Sequence, residues 1–312
     1  MKLIAELCQN HNGEKNTLIE MATKALEAGA THAKIQNLYS FELTKRLEFE
    51  NPNPSKFQMF RPFKTEVARL SKLDLSEEQE LEFVNVCRKL GVIPMTTVFT
   101  YYGAERAKRA GFKHIKIASY NSTDLELIEY VADFSDELVI STGATTVLEI
   151  RSIIRFLHDS SLINKVTLLH CKTEYPNLLE RVHLQRMNWL KEFGVEVGFS
   201  DHTLTFDEHA KPVPNRLLAS KVALFLGATA IERHFTILAP SDTKDGRISI
   251  TPEDLKELAS FAKLSIEEKV LSLNLNEKLV QLIIDNKNLN FEPSVEEWFN
   301  RRYYQGRVTT VG

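Results

Sequence analysis

Cysteine is scarce in this 312-residue chain: Cys8, Cys87 and Cys171 are all there is. So odd and sparse a set argues against a disulfide framework and for a reducing compartment. Long apolar runs are missing too, and none could span a bilayer. Nor is there an excess of positive charge. The 39 Lys and Arg against 42 Asp and Glu leave a net charge of −3, which gives no field for nucleic acid and no polybasic patch for a membrane surface. The opening run Met1-Lys2-Leu3-Ile4-Ala5-Glu6 meets a carboxylate almost at once, without the apolar stretch of a signal peptide. Cytoplasm is the expected location. What the chain does have is a 43% hydrophobic content, enough to bury a large core and to exclude global disorder.

One local pattern recurs: a helical stretch ends in Gly and a short β-branched run follows. Gly29 precedes Ala33–Gln36, and Gly91 precedes Val92–Thr97. Gly111 precedes Ile115–Ala118, Gly194 precedes Val195–Phe199, and Gly227 precedes Ala230–His234. A glycine just past a helix closes the last turn in the left-handed conformation without a Cβ penalty. A strand a few residues later is the short link of a βαβ unit. Lys2–Leu7, Leu138–Ser141 and Val166–His170 bring the strands to eight. Continuous apolar strands suit a parallel sheet buried on both faces.

Between them lie amphipathic helices over Leu18–Leu26, Glu77–Leu90, Tyr102–Ala110, Leu125–Phe134, Val147–Leu157, Leu184–Phe193, Leu217–Leu226 and Pro252–Leu264. Thr251 caps the last of these, with Pro252 at its first position. Eight βα units in series predict an α/β fold, a (β/α)8 TIM barrel over 1–264, against an open doubly wound sheet as the alternative. Residues 265–312 are expected to form a short C-terminal extension, helical then irregular, with no separate domain. The segment from Asn37 to about Leu75 is long, aromatic and basic. Because it follows the second strand, it is expected to lie over the catalytic face as a lid.

Polar residues at the C-terminal ends of barrel strands read as chemistry, because all eight βα loops meet there. The ends supply Glu6, Lys34, Gln36, Thr97, Lys116, Ser119, Asn121, Ser141, Thr173, Tyr175, Ser200, His202, Glu232 and His234. Each has a plainer reading beside the functional one. Lys34 or Lys116 alone would as readily pair with a neighbouring carboxylate as hold an anion. Ser141-Thr142-Gly143 either starts the next helix or forms an anion nest. His170, on an apolar strand, reads as a core histidine, while His11 fits either role. Cys8 and Cys171 read as small buried residues rather than nucleophiles. His202 and His234 come from the last two strand ends, adjacent in a closed barrel, and with Asp201, Glu232 and Asp245 near them a metal site is credible.

Taken in order, several segments resemble the N-acetylneuraminate (sialic acid) synthase family. They are Glu6-Leu7-Cys8-Gln9-Asn10-His11-Asn12-Gly13, Lys34-Ile35-Gln36, Lys116-Ile117-Ala118-Ser119, Ser141-Thr142-Gly143, His170-Cys171, Tyr175-Pro176, Gly198-Phe199-Ser200-Asp201-His202-Thr203 and Glu232-Arg233-His234-Phe235-Thr236. The resemblance covers about Lys2 to Leu264. It implies a (β/α)8 barrel that joins phosphoenolpyruvate to a hexosamine-type aldose on a divalent metal, Mn²⁺ or a similar ion. The product would be a nonulosonic, sialic acid-like 2-keto-3-deoxy acid plus phosphate.

Carried over residue by residue, the resemblance makes His202 and His234 metal ligands. It places Lys34, Thr97, Lys116, Ser119, Ser141, Thr173 and Ser200 on phosphoenolpyruvate. Glu6 stands near the reacting carbons, with Gln36, Tyr175 and Asp245 on the sugar side. Glu6 and Lys116 are the expected catalytic residues. Two departures bear on the sugar: Asn121 stands where many members have Glu, and Lys172-Thr173 replaces a Thr-Asn pair. The family's C-terminal antifreeze-like domain, which brings an arginine to the sugar, finds no counterpart in residues 265–312. The expectation is that the aromatic, arginine-rich run Trp298–Arg307 either folds back over the catalytic rim, of its own or a neighbouring subunit, with Arg302 or Arg307 as the replacement cation, or packs on the outside of the barrel. The expected partners are phosphoenolpyruvate and a sugar aldehyde, with no nucleic acid or membrane, and a homodimer is the assembly to test for. A Schiff-base or metal aldolase acting on a 2-keto-3-deoxy acid, or a non-catalytic sugar-binding barrel, are the alternatives.

Overall fold

Eight parallel strands close into a barrel in sequence order in the computed structural model, which describes residues 1–54, 59–274, 277–284 and 291–308. The strands are β1 (Lys2–Glu6), β2 (His32–Asn37), β3 (Ile93–Val98), β4 (His114–Ile117), β5 (Glu137–Ser141), β6 (Val166–Cys171), β7 (Glu196–Asp201) and β8 (Ala230–His234). Pairing of β1 with β8 closes the ring and sets Glu6 opposite His234. The open-sheet alternative is thereby excluded. All five glycines expected to close helices have positive φ, from +72° at Gly194 to +97° at Gly29, the conformation that only glycine adopts cheaply.

The helices in chain order are α1 (Lys15–Glu27), α2 (Phe63–Leu70), α3 (Glu77–Leu90), α4 (Tyr101–Ala110), α5 (Leu125–Phe134), α6 (Val147–Asp159), α7 (Gln185–Lys191), α8 (Leu218–Phe225), α9 (Pro252–Ala262), α10 (Ile266–Asn274), α11 (Glu277–Ile284) and α12 (Val295–Tyr304). The apolar faces of α1 and α3 to α11 pack against the outside of the barrel. Inside it, Ile4, Met95, Val139, Leu169 and Ala230 form a separate apolar plug. The plug matters for the site, because every polar side chain above it sits on a dry floor.

Two segments differ from the regular rhythm. The insertion after β2 contains α2 and reaches the rim, as expected of a lid, though residues 55–58 lie outside the described ones. In the extension, α12 was expected as irregular chain. Ser294 caps it and Glu297 answers in a reciprocal capping box, a start signal that the aromatic content of the segment obscures. Residues 309–312 of the extension, and 275–276 and 285–290 before them, lie outside the described residues.

Candidate active site

The strand ends enclose a cavity of about 280 Å³. Its floor is a buried charge network on the barrel axis. The Lys34 ammonium donates to the Glu6 carboxylate and, at 2.8 Å, to Thr97 Oγ1, and it lies 3.3 Å from Glu232 Oε2. Lys116 donates to the other oxygen of Glu232, and so does Ser200, at 2.7 Å. Burial disfavours a charged Lys34, but the Glu232 and Glu6 carboxylates outweigh it and raise its pKa. The same balance works on Glu232: burial opposes its charge, yet Lys116 and Lys34 hold the carboxyl far below its usual range. For each lysine the sequence left a neighbouring carboxylate and a bound anion equally open. In the structure the Glu232 carboxylate pairs with both.

A second group stands beside the floor. His202 donates from Nδ1 to the Lys172 carbonyl at 2.9 Å, and its Nε2 faces Ser200 Oγ at 3.5 Å. Burial, then the neighbouring His234 ring, push the His202 imidazole down to about 3, so it stays neutral with Nε2 as an open lone pair. The two rings lie 5.5 Å apart between centroids. His234 Nδ1 is buried with no hydrogen-bond partner and lies 3.5 Å from Asp245 Oδ2. Potential ligand atoms of His234, Asp245 and Cys8 all lie within 4.8 Å of one another. The Cys8 thiol donates to Asp245 at 3.0 Å. Burial, with the Asp245 and Glu6 charges, pushes the thiol well above its ordinary range. It remains a thiol, a poor ligand by itself.

Of the two readings of Ser141-Thr142-Gly143, the helix start fails. The helix begins later, with Thr146 as its cap. Ser141 Oγ is buried without a partner and lines the cavity, while the Gly143 amide donates to Ser119 Oγ at 3.1 Å. A Cβ on Gly143 would come within 2.7 Å of Cys171 Sγ, so glycine is what lets the turn approach this wall. Gln36, Ser119, Asn121 and Tyr175 line the cavity. Thr173 and Ser200 do not. Ser200 lies beneath Glu232, and Thr173 turns toward Glu297 of α12. His170 is a core histidine, bonded to the Val182 carbonyl at 2.7 Å.

The last helix completes the wall. Glu297 pairs with Lys172 and accepts the Thr173 amide at 3.1 Å. Arg301 makes a two-pronged contact with Glu149 at 2.6 and 2.8 Å. These contacts bring Tyr304, Arg307 and Val308 to the cavity. The extension therefore folds over the rim of its own chain. Arg302 points away and pairs with Glu48 at the surface. Arg61 and Arg69 from the insertion, and Lys244 from the loop after β8, also line the mouth; none was expected there, since Arg61 and Lys244 lie in irregular chain and the short helix that carries Arg69 has no sequence signal for where it docks. Burial, then repulsion from Arg69 and Arg61, hold the Lys244 ammonium down to about 8.

Residues 20–269 match the model of the NeuB family. The N,N'-diacetyllegionaminic acid synthase of Legionella pneumophila is 30% identical over 264 residues, which are 82% of this chain and 69% of that one. The enzyme of the same name from Campylobacter jejuni is 28% identical over 261 residues, 83% and 74% of the two chains. In fold, the chain is similar to the N-acetylneuraminic acid synthetase of Leptospira borgpetersenii, with a TM-score of 0.67 and 22% identity over 96% of this chain and 90% of that one.

Proposed function

The chain belongs to the NeuB family, and on that premise we propose that it condenses phosphoenolpyruvate with a hexosamine-type aldehyde to give a nonulosonic acid and phosphate. The observation that carries this reading is the pairing of a buried double-lysine floor with an unpartnered imidazole nitrogen on one dry wall. The ammonium and hydroxyl donors of the floor suit the acidic groups of phosphoenolpyruvate. The wall suits a divalent ion.

Lys34 and Lys116 hold the acidic groups of phosphoenolpyruvate, with Thr97, Ser119 and the free hydroxyl of Ser141 orienting them. Glu232 keeps both lysines charged in the interior until the substrate arrives. Glu6, held by Lys34 and the Cys8 amide at 2.7 Å, faces the reacting carbons. The enol C3 of phosphoenolpyruvate forms the new C–C bond to the aldehyde carbon, whose oxygen takes a proton. Water adds to the resulting cationic C2, losing a proton toward Glu6. Cleavage of the C2–O bond then releases phosphate and leaves the ketone. Gln36, Asn121 and Tyr175 line the sugar side.

His202, His234 and Asp245 are the residues that would hold the metal, with the Cys8 thiol orienting Asp245. The buried, unpartnered Nδ1 of His234 fits that role. When bound, the ion acts as a Lewis acid on the aldehyde oxygen, worth several kcal/mol of transition-state stabilisation. Imidazole donors favour a transition-type ion over Mg²⁺, and Mn²⁺ is the ion that the family resemblance implies.

Residues 1–264 form the catalytic barrel, and 265–312 are an extension rather than a separate domain, with α12 as part of the site wall. Among the described residues no helix is long and apolar enough to cross a membrane; cytoplasm remains the proposed location. The test is borohydride reduction with pyruvate present, read by intact mass. The condensation reading expects no adduct on any lysine. A reduced adduct on Lys34 or Lys116 would replace it with a Schiff-base aldolase.

A further inference from the structure

The outer half of the cavity holds more positive charge than the chemistry at the strand ends uses. Arg61, Arg69, Lys244 and Arg307 all line it, brought there by three separate segments of chain. One carboxylate, Glu66, lies among them, 3.1 Å from Arg69, 3.4 Å from Arg307 and 3.6 Å from Arg61. Asp245 is engaged by Cys8 and His234. Among the described residues Lys244 forms no ion pair closer than 4.0 Å. The Nε groups of Arg69 and Arg307 are buried with no hydrogen-bond partner.

Four cations around one carboxylate repel one another at close range, and the repulsion grows as water is excluded. Such an arrangement is relieved by an anion. Guanidinium forks match the paired oxygens of phosphate or carboxylate, not the single oxygen of a sugar hydroxyl. The forks are also fixed in direction. The guanidinium carbon of Arg61 lies 5.5 Å from the Tyr303 ring centroid, and that of Arg307 lies 5.7 Å from Tyr303 and 5.5 Å from Tyr304. The cluster is distinct from the floor, whose lysines are engaged by Glu6 and Glu232. The His202–His234 wall and this mouth line one and the same cavity.

We infer that the acceptor sugar carries an oxyanion group, a phosphate ester or a carboxylate, at the end remote from its aldehyde, and that Arg61, Arg69, Lys244 and Arg307 receive it. The inference rests on the condensation proposed above and names its second substrate.

The experiment supplies each hexosamine of a panel in three matched forms: neutral, as the 6-phosphate and as the 6-carboxylate. Release of inorganic phosphate from phosphoenolpyruvate is followed with Mn²⁺ present. One charged hydrogen bond is worth roughly 1.5–3 kcal/mol, about 10- to 100-fold. The best anionic form is therefore expected to exceed its neutral counterpart in kcat/KM by about 100-fold or more. Preference for the 6-phosphate identifies a phosphate ester, and preference for the 6-carboxylate a uronate. Arg61→Met and Arg307→Met, which keep apolar length against Tyr303, should each move that ratio at least tenfold toward one. Arg302→Met, on α12 and paired with Glu48 at the surface, should leave it in place. A neutral form used as well as its anionic partners overturns the inference and leaves the condensation standing, as does a ratio that neither Met variant moves. Phosphate release with no acceptor in any form overturns the condensation reading, and the inference with it.

Discussion

Glu297 and Lys172 form a buried ion pair that joins the last helix to the end of the sixth strand. Burial opposes the charge on Glu297, and the Lys172 ammonium overcomes it, so the carboxyl lies below its usual range. The same carboxylate accepts the Thr173 amide at 3.1 Å and the Ala144 amide at 3.3 Å. One side chain thus holds two catalytic-rim loops against α12.

Removing one member of a buried pair leaves the other charge without compensation, at a cost of about 3–5 kcal/mol. Glu297→Ala should therefore destabilise the protein by roughly that amount in urea denaturation and should open the segment after residue 291 to protease. Replacing Lys172 by Met as well should recover part of the loss, since no lone charge then remains. A Glu297→Ala protein with unchanged stability and proteolysis would mean that the helix is merely laid on the surface.

Much of this architecture is legible in the chain. Five helix-closing glycines and eight apolar runs give the barrel, and polar residues at strand ends give the floor of the site. Glu232 was visible at its strand end, but not its place between two lysines, because strand register around a closed barrel is not written in any local window. The mouth cations were hidden for a different reason. Arg61 and Lys244 lie in irregular segments, where spacing along the chain does not fix direction, and Arg69 lies on a short helix of the insertion whose docking no local window gives; Arg307 alone of the four was expected. Helix α12 carried a readable Ser294–Glu297 capping box, masked by aromatic content that suggests packing without a period.

At the floor, Lys116→Ala should weaken phosphoenolpyruvate binding by about 10-fold or more, from the loss of one charge-assisted contact. Isothermal titration with the metal-loaded protein measures it. Unchanged affinity would remove Lys116 from the binding set.

On the metal wall, His234→Ala should lower Mn²⁺ affinity by at least about 100-fold, roughly 3 kcal/mol, read from the free-ion signal in electron paramagnetic resonance. Retained affinity would show that the ion is held elsewhere.

The docking of α12 also carries a pH dependence. Arg301 hydrogen bonds, against partial burial, hold the Glu149 carboxyl down to about 2. A depressed carboxyl stabilises the fold above its unfolded pKa, near 4.3, and that contribution is lost as pH falls toward 2. Urea stability of the wild type should therefore decline more steeply between about pH 4.5 and 2 than that of Arg301→Met. Parallel curves for the two proteins would show that the Glu149–Arg301 pair does not contribute.

The proposed condensation needs phosphoenolpyruvate, a sugar aldehyde and a divalent ion together. Phosphoenolpyruvate labelled with ¹⁸O at the oxygen bridging C2 and phosphorus tests it most directly, with mass analysis of both products. The account predicts that the label leaves with inorganic phosphate, that the new keto acid carries the carbons of both substrates, and that chelation stops both while Mn²⁺ restores them. Label retained in the organic product, or turnover indifferent to chelation, would contradict it.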